Sequence, residues 1–278
     1  MIVVLFAAVA MLVLAVVMAA VLGWAKDAFH VEVDPRVDQI NEALPDANCG
    51  ACGFAGCNDY SEAVVAGKAQ PNLCPVGGSD CAEKIAEIMG LSVEESLPIR
   101  AIVHCGASVE QRLKRHEYRG EKTCAAATKV AGLQGCMYGC MGFGDCVVVC
   151  DYDAIHIIDG LAVVDYEKCI GCGVCAKACP RGIIEMIDYK ADEMMQVACS
   201  SKDAGKAVKS VCQVGCIGCK GCDKRSDLFK TVENLAGIDY ECYNPDTFED
   251  ARLALEKCPT NCIVMSGKNT DPPQAVKQ

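Results

Sequence analysis

CIGCGVCAKACP, residues 169–180, has the spacing C-x2-C-x2-C-x3-C-P. Three thiolates so spaced cap three irons of one [4Fe–4S] cubane, and the fourth cysteine is free to serve a second cluster. The glycines between them let the backbone wrap closely round such a cube. Tetrahedral zinc would draw on two paired CxxC units, and a chain with only four histidines supplies a Cys/His zinc array poorly.

In two-cluster ferredoxins the ligands cross between runs, so a partner run is expected nearby. CMYGCMGFGDCVVVC, residues 136–150, supplies it, with Asp151 where proline is usual. One cubane is then expected on Cys136, Cys140, Cys146 and Cys179, and the other on Cys150, Cys169, Cys172 and Cys175. Between the runs, AIHIIDGLAVVD (154–165) reads as a hairpin turning on Asp159-Gly160, a type I′ pair. Residues 136–190 are expected to form a small α+β ferredoxin-like unit.

The unit recurs. DGLAVVDYE (159–167) and ENLAGIDYE (233–241) are near copies, the mark of an internal duplication. A shift of 76 residues lays Cys136, Cys140 and Cys146 on Cys212, Cys216 and Cys222, and drops Cys150 on Ser226. A shift of 74 through the hairpin puts the 169/172/175 triad on Tyr243, Asp246 and Glu249, while Cys179-Pro180 returns as Cys258-Pro259. The four losses are the ligands of one cube. The survivors Cys216, Cys219, Cys222 and Cys258 are expected to hold the other, making 191–267 a degenerate, one-cluster copy. NPDTFEDARLALEK (244–257) reads as a helix over the vacated site.

Upstream, CGACGFAGC (49–57) and LCPVGG give Cys49, Cys52, Cys57 and Cys74 the spacing C-x2-C-x4-C-x16-C, suited to a fourth cubane. They lie in a small helical unit, 26–98. Asp34 caps a helix with Pro35 at its first position, Tyr60–Ala66 forms a second, and a third follows Ser79 and stops at Gly90. Residues 99–135 read as a linker whose basic run, QRLKRHEYRG, is a solvated helix face or a docking patch. Cys81 and Cys262 suit buried small hydrophobes. Cys105, Cys124, Cys199 and Cys212 could gather round a fifth cluster.

Twenty-three cysteines, a net charge of −11 and 5 % aromatics describe a chain whose core needs inorganic staples. The charge argues against nucleic acid, and no phosphate-binding loop or HExxH is present. Residues 2–25 carry no charge, so residues 1–25 are expected to form a transmembrane helix. No positive n-region precedes the run, against a cleaved signal peptide. Positive side chains start at Lys26 and Arg36, which places the bulk of the chain on the cytoplasmic side of the membrane. In that reducing compartment the cysteines are expected to be ligands, not disulfides. The tail, 268–278, reads as disordered.

The order of an apolar anchor, NCGACGFAGCNDYSEAV, CPVGG, YGCMGFGDCVVVC, CIGCGVCAKACP and GCIGCKGC closely resembles the B-subunit family of Rnf complexes, membrane-bound ferredoxin:NAD oxidoreductases coupled to sodium or proton transport. The resemblance spans essentially the whole chain. It implies a subunit that takes electrons from soluble ferredoxin and relays them to membrane subunits, with flavin, NAD and the ion path elsewhere in the complex. A polyferredoxin subunit of a membrane hydrogenase or dehydrogenase, and a zinc scaffold, are the competing readings.

Overall fold

Two hairpins, each clasped by an outer pair of strands, organise the C-terminal two thirds of the chain. The computed structural model describes residues 2–28, 34–92, 97–245 and 249–268; within them the side chains of residues 3–5, 7, 8, 26–28 and 249 are left aside. The 268–278 tail lies outside the described residues apart from Lys268.

In the first copy β1 (Ile99–Val103) pairs antiparallel with β4 (Ile184–Asp188), enclosing the hairpin β2 (Ile155–Ile158) and β3 (Leu161–Val164). Asp159 and Gly160 turn that hairpin with φ of 48° and 72°, as a type I′ turn requires. The second copy repeats the plan. β5 (Glu193–Val197) pairs with β8 (Ile263–Gly267) around β6 (Phe229–Val232) and β7 (Leu235–Ile238). One hydrophobic core, from Ile102 and Ile155 to Met195 and Phe229, runs through both copies.

Residues 99–135, expected as a linker, belong to the first copy. β1 is its outer strand, and α5 (Cys124–Thr128) packs beside it through Ala127, Leu133 and Met141. The basic run forms no helix among the described residues. Two short helices, α6 (Asp145–Val148) and α7 (Val174–Ala178), follow the two cysteine runs, and α8 (Gly205–Lys209) precedes the second copy's run.

The N-terminal helical unit is close to expectation. α2 (Pro35–Ala43) is capped by the Asp34 carboxylate, which accepts from the Arg36 N–H at 2.9 Å. α3 (Cys57–Val65) starts three residues before Tyr60, because the Asn48 side chain accepts from the Cys57 N–H at 2.9 Å. α4 (Gly78–Met89) ends on left-handed Gly90. Ile40, Leu44, Tyr60, Val64 and Ile85 form the core.

α1 (Ile2–Ala28) is a 27-residue helix where the apolar N-terminal run was read. Within the described residues no helix is long and apolar enough to cross a membrane. α9 (Glu249–Glu256) occupies the later part of the helix expected over 244–257; residues 246–248 lie outside the described ones.

Candidate iron–sulfur sites

The cysteine loops turn tightly because glycine stands where a side chain cannot. Gly171 has φ +79°, and a Cβ there would run into the Ile99 carbonyl oxygen. Gly142 has φ +75°, and a Cβ there would run into the Gly160 carbonyl oxygen; Gly218, its likeness in the second copy, has φ +63° and would place a Cβ 2.7 Å from the Asn234 carbonyl oxygen. Each loop therefore passes against backbone and turns its thiols inward.

Among the described residues, four cavities in the two copies are each lined by at least four thiols. Cys150, Cys169, Cys172 and Cys175 line one, the set read from the sequence. Cys216, Cys219, Cys222 and Cys258 line another, together with Cys262. The remaining two differ from expectation. Cys140, Cys146 and Cys179 meet Cys124, not Cys136. The Asp145 carboxylate explains this: it accepts from the N–H groups of Cys124 and Ala125 at 2.6 and 2.9 Å, docking α5 beside Cys146.

Cys136 instead lines the fourth cavity, with Cys105, Cys199 and Cys212. This site is built from equivalent positions of the two copies. Cys105 and Cys199 each stand two residues beyond an outer strand, β1 and β5, and Cys136 and Cys212 are repeat partners. Gly106 allows the two strand ends to approach, since a Cβ there would lie 3.0 Å from the Ala198 Cβ.

In the N-terminal unit Cys52, Cys57 and Cys74 pack on the core that holds Tyr60, and Cys49 and Cys74 both act electrostatically on Tyr152 of the first copy. Cys81 lies against Cys74 and donates to the Ala43 carbonyl oxygen at 3.3 Å.

The thiols of the two copies' four groups stand around voids. Among the described residues no three His, Cys, Asp or Glu side chains close on a point, as a single metal ion would need. A cubane is wider than an ion, and thiols spread around a cavity suit it. Their ionisation also calls for a cation. Burial pushes the Cys146 and Cys199 thiols up to about 12 and Cys175 up to about 11. Bound iron supplies the positive charge that reverses this.

Arg112 adds a second argument. Its guanidinium is buried, 6 % exposed. Nε and Nη2 donate to the Ala107 carbonyl oxygen, Nη2 also to Gly160, and Nη1 to the carbonyl oxygen of Cys140. The same side chain lines the Cys105/Cys136/Cys199/Cys212 cavity. Arg115 beside it donates to the Met141 carbonyl oxygen. Neither arginine has a carboxylate within ion-pair distance among the described residues. A buried cation without a counter-ion is costly, and a thiolate-ligated cluster is an anion. The basic run is thus, at Arg112, an internal feature and no solvated face.

The sites form a series. Cys49 acts on Cys172, Cys175 on Cys146, Cys105 on Cys140, and both Cys105 and Cys216 on Cys199, each as a like charge that raises its neighbour's thiol. The order is therefore the 49/52/57/74 group, 150/169/172/175, 124/140/146/179, 105/136/199/212, and last 216/219/222/258. The two ends differ in charge. Residues 34–92 hold nine Asp or Glu against three Lys or Arg, whereas 199–230 hold seven Lys or Arg against three Asp. At the basic end Cys219 is exposed, and Lys220 and Lys257 line its cavity.

Where the second copy lacks ligands, packing has taken over. Tyr243, at the place of Cys169, is 2 % exposed and its hydroxyl accepts from the Met195 N–H at 2.8 Å. Its ring lies 6.0 Å from Tyr240, and Ala251 and Ala254 of α9 join the same core. Ser226 closes a local turn by accepting from the Leu228 N–H. Asp246 and the Glu249 side chain lie outside the described residues.

Two stretches of the chain match iron–sulfur family models. An "Fe-S cluster" family model matches residues 44–76, and a "4Fe-4S binding domain" model matches residues 162–185. The chain is similar to the B subunit of the Na(+)-translocating ferredoxin:NAD(+) oxidoreductase complex of Acetobacterium woodii, 42 % identical over 88 % of this chain and 74 % of the relative. It is similar to the B subunit of the proton-translocating ferredoxin:NAD(+) oxidoreductase complex of Clostridium ljungdahlii, 37 % identical over 97 % and 95 %. A third relative is the B subunit of the ion-translocating oxidoreductase complex of Methanosarcina acetivorans, 38 % identical over 78 % and 83 %.

Proposed function

The chain belongs to the B-subunit family of ion-translocating ferredoxin:NAD(+) oxidoreductase (Rnf) complexes, and from that premise we propose that it is a membrane-anchored electron relay of five [4Fe–4S] clusters. Family membership and the matched domains make it an iron–sulfur, α+β electron-transfer subunit whose partners include the other subunits of such a complex. The ligand sets, the count, the donor and the anchor are our reading.

The ligands in this reading are Cys49, Cys52, Cys57 and Cys74; Cys150, Cys169, Cys172 and Cys175; Cys124, Cys140, Cys146 and Cys179; Cys105, Cys136, Cys199 and Cys212; and Cys216, Cys219, Cys222 and Cys258. When bound, each cubane supplies one-electron exchange without bond making. The chain's own residues hold the clusters in sequence, exclude water from them and set the charge around them; no acid, base or nucleophile is required. The carrying observation is that successive thiol groups, from the acidic N-terminal unit to the group holding exposed Cys219, lie near enough to act on one another electrostatically.

The relatives' names supply the donor, reduced ferredoxin, and the coupling ions, sodium in one and protons in another. Ferredoxin meeting the basic C-terminal end, and other subunits taking electrons from the N-terminal unit, fit the charge contrast. The membrane anchor is read from the sequence, in which residues 2–25 carry no charged side chain. Phe6, Leu12, Leu14, Val17 and Leu22 are all more than half exposed, as suits a helix solvated by lipid on every side.

The testing experiment mixes reduced ferredoxin with the anaerobically purified full chain in detergent. Bleaching of the iron–sulfur absorption without any other electron source is the expected result. A chain that dithionite reduces and ferredoxin does not would overturn the donor assignment.

A further inference from the structure

Among the described residues, Arg112 is the only buried Lys or Arg, and it lies between two cysteine sites. On one side it lines the Cys105/Cys136/Cys199/Cys212 cavity, and its backbone bridges to Cys212. On the other its Nη1 grips the carbonyl oxygen of Cys140, which lines the next cavity. Arg115, from the same segment, holds the carbonyl oxygen of Met141, and its Nη1 is buried without a partner. Among the described residues, every hydrogen bond from these two guanidiniums goes to a carbonyl oxygen. Among the described residues, the 49/52/57/74 and 150/169/172/175 sites have no comparable buried cation, and the lysines at the 216/219/222/258 site are exposed.

We propose that Arg112, assisted by Arg115, raises the reduction potentials of the two clusters it separates above those of their neighbours, so that an electron entering the series comes to rest in its middle. This rests on the five-cluster reading. Reduction of either cluster adds one electron and moves no proton; the electron comes from the reduced carrier. The added negative charge appears beside a fixed positive one at low dielectric, where the attraction is strong, while the solvated lysines at the exposed end are screened. Guanidinium suits the role because it stays ionised when buried and its rigid fork spans the carbonyls that hold it.

Potentiometric EPR titration of the full chain in detergent tests this, comparing the natural protein with Arg112→Gln and Arg112→Lys. Arg112→Gln should lower the midpoint of two clusters, changing the oxidised-to-reduced ratio at fixed potential at least tenfold, which is about 59 mV for one electron. The other clusters and the iron content should not change, and Arg112→Lys should restore most of the shift. Unchanged midpoints with iron retained, or an equal shift in every cluster, would overturn the proposal. If Arg112→Gln loses iron, Arg115→Gln carries the test, with a smaller shift expected in the same two clusters. Iron loss in both variants would mean that the arginines serve assembly, and the proposal fails. The five-cluster reading fails separately, if Cys136→Ser leaves iron content untouched.

Discussion

The sulfur of Cys258 stands 3.6 Å from that of Cys262, so the last cavity holds one thiol more than a cubane binds. Hydrogen bonding with Cys262 lowers the Cys258 and Cys216 thiols to about 5 and about 6. The same bonds, with burial, push the Cys262 thiol up. Cys258 has the neighbouring Pro259 of a cluster-binding run, whereas Cys262 stands in the core immediately before β8. Cys258→Ser should therefore lose about four irons, one cubane, while Cys262→Ala keeps them. Metal analysis of the two variants checks this, and the opposite pattern would make Cys262 the ligand.

Cys124 and Cys136 line different cavities. Cys124→Ser and Cys136→Ser should each remove about four irons and should abolish different EPR signals. Loss of the same signal in both variants would return Cys136 to the company of Cys140 and Cys146.

Lys220 and Lys257 flank exposed Cys219 in a chain that is acidic overall. If an acidic ferredoxin approaches there, the double variant Lys220→Glu/Lys257→Glu should slow stopped-flow reduction by about tenfold at low salt and flatten its salt dependence. Lys68→Glu/Lys84→Glu, in the acidic N-terminal unit, should have little effect. Equal slowing by both pairs would show that overall charge, not this face, guides the encounter.

Removing residues 1–28 takes away α1 and leaves the α2–α4 core intact. A brown, detergent-free fragment is the expected product, judged by flotation with liposomes. Continued binding of the fragment to neutral liposomes would contradict a single anchor.

Local rules made much of this protein legible. C-x2-C-x2-C, Asp159-Gly160 and Asp34-Pro35 encode their loop, turn and cap within a few residues, and the repeat exposed the missing cube through Ser226 and Tyr243. The partners of Cys124 and Cys136 were not legible in that way. They depend on Asp145 reaching back 21 residues to α5 and on outer strands paired across more than 80 residues, as Ile99 with Asp188. One signal was present: Cys136 and Cys212 are repeat partners, and a site shared between copies would use both. Arg112 departs from the sequence reading because a charge run ordinarily faces water, and nothing local says that its guanidinium is buried among carbonyl oxygens.

Anaerobic quantitation of iron and acid-labile sulfide on the purified full chain decides the central point. About twenty of each per chain are predicted, four per cubane across five sites. About sixteen would remove the site shared between the copies, and zinc with no sulfide would contradict the electron relay altogether.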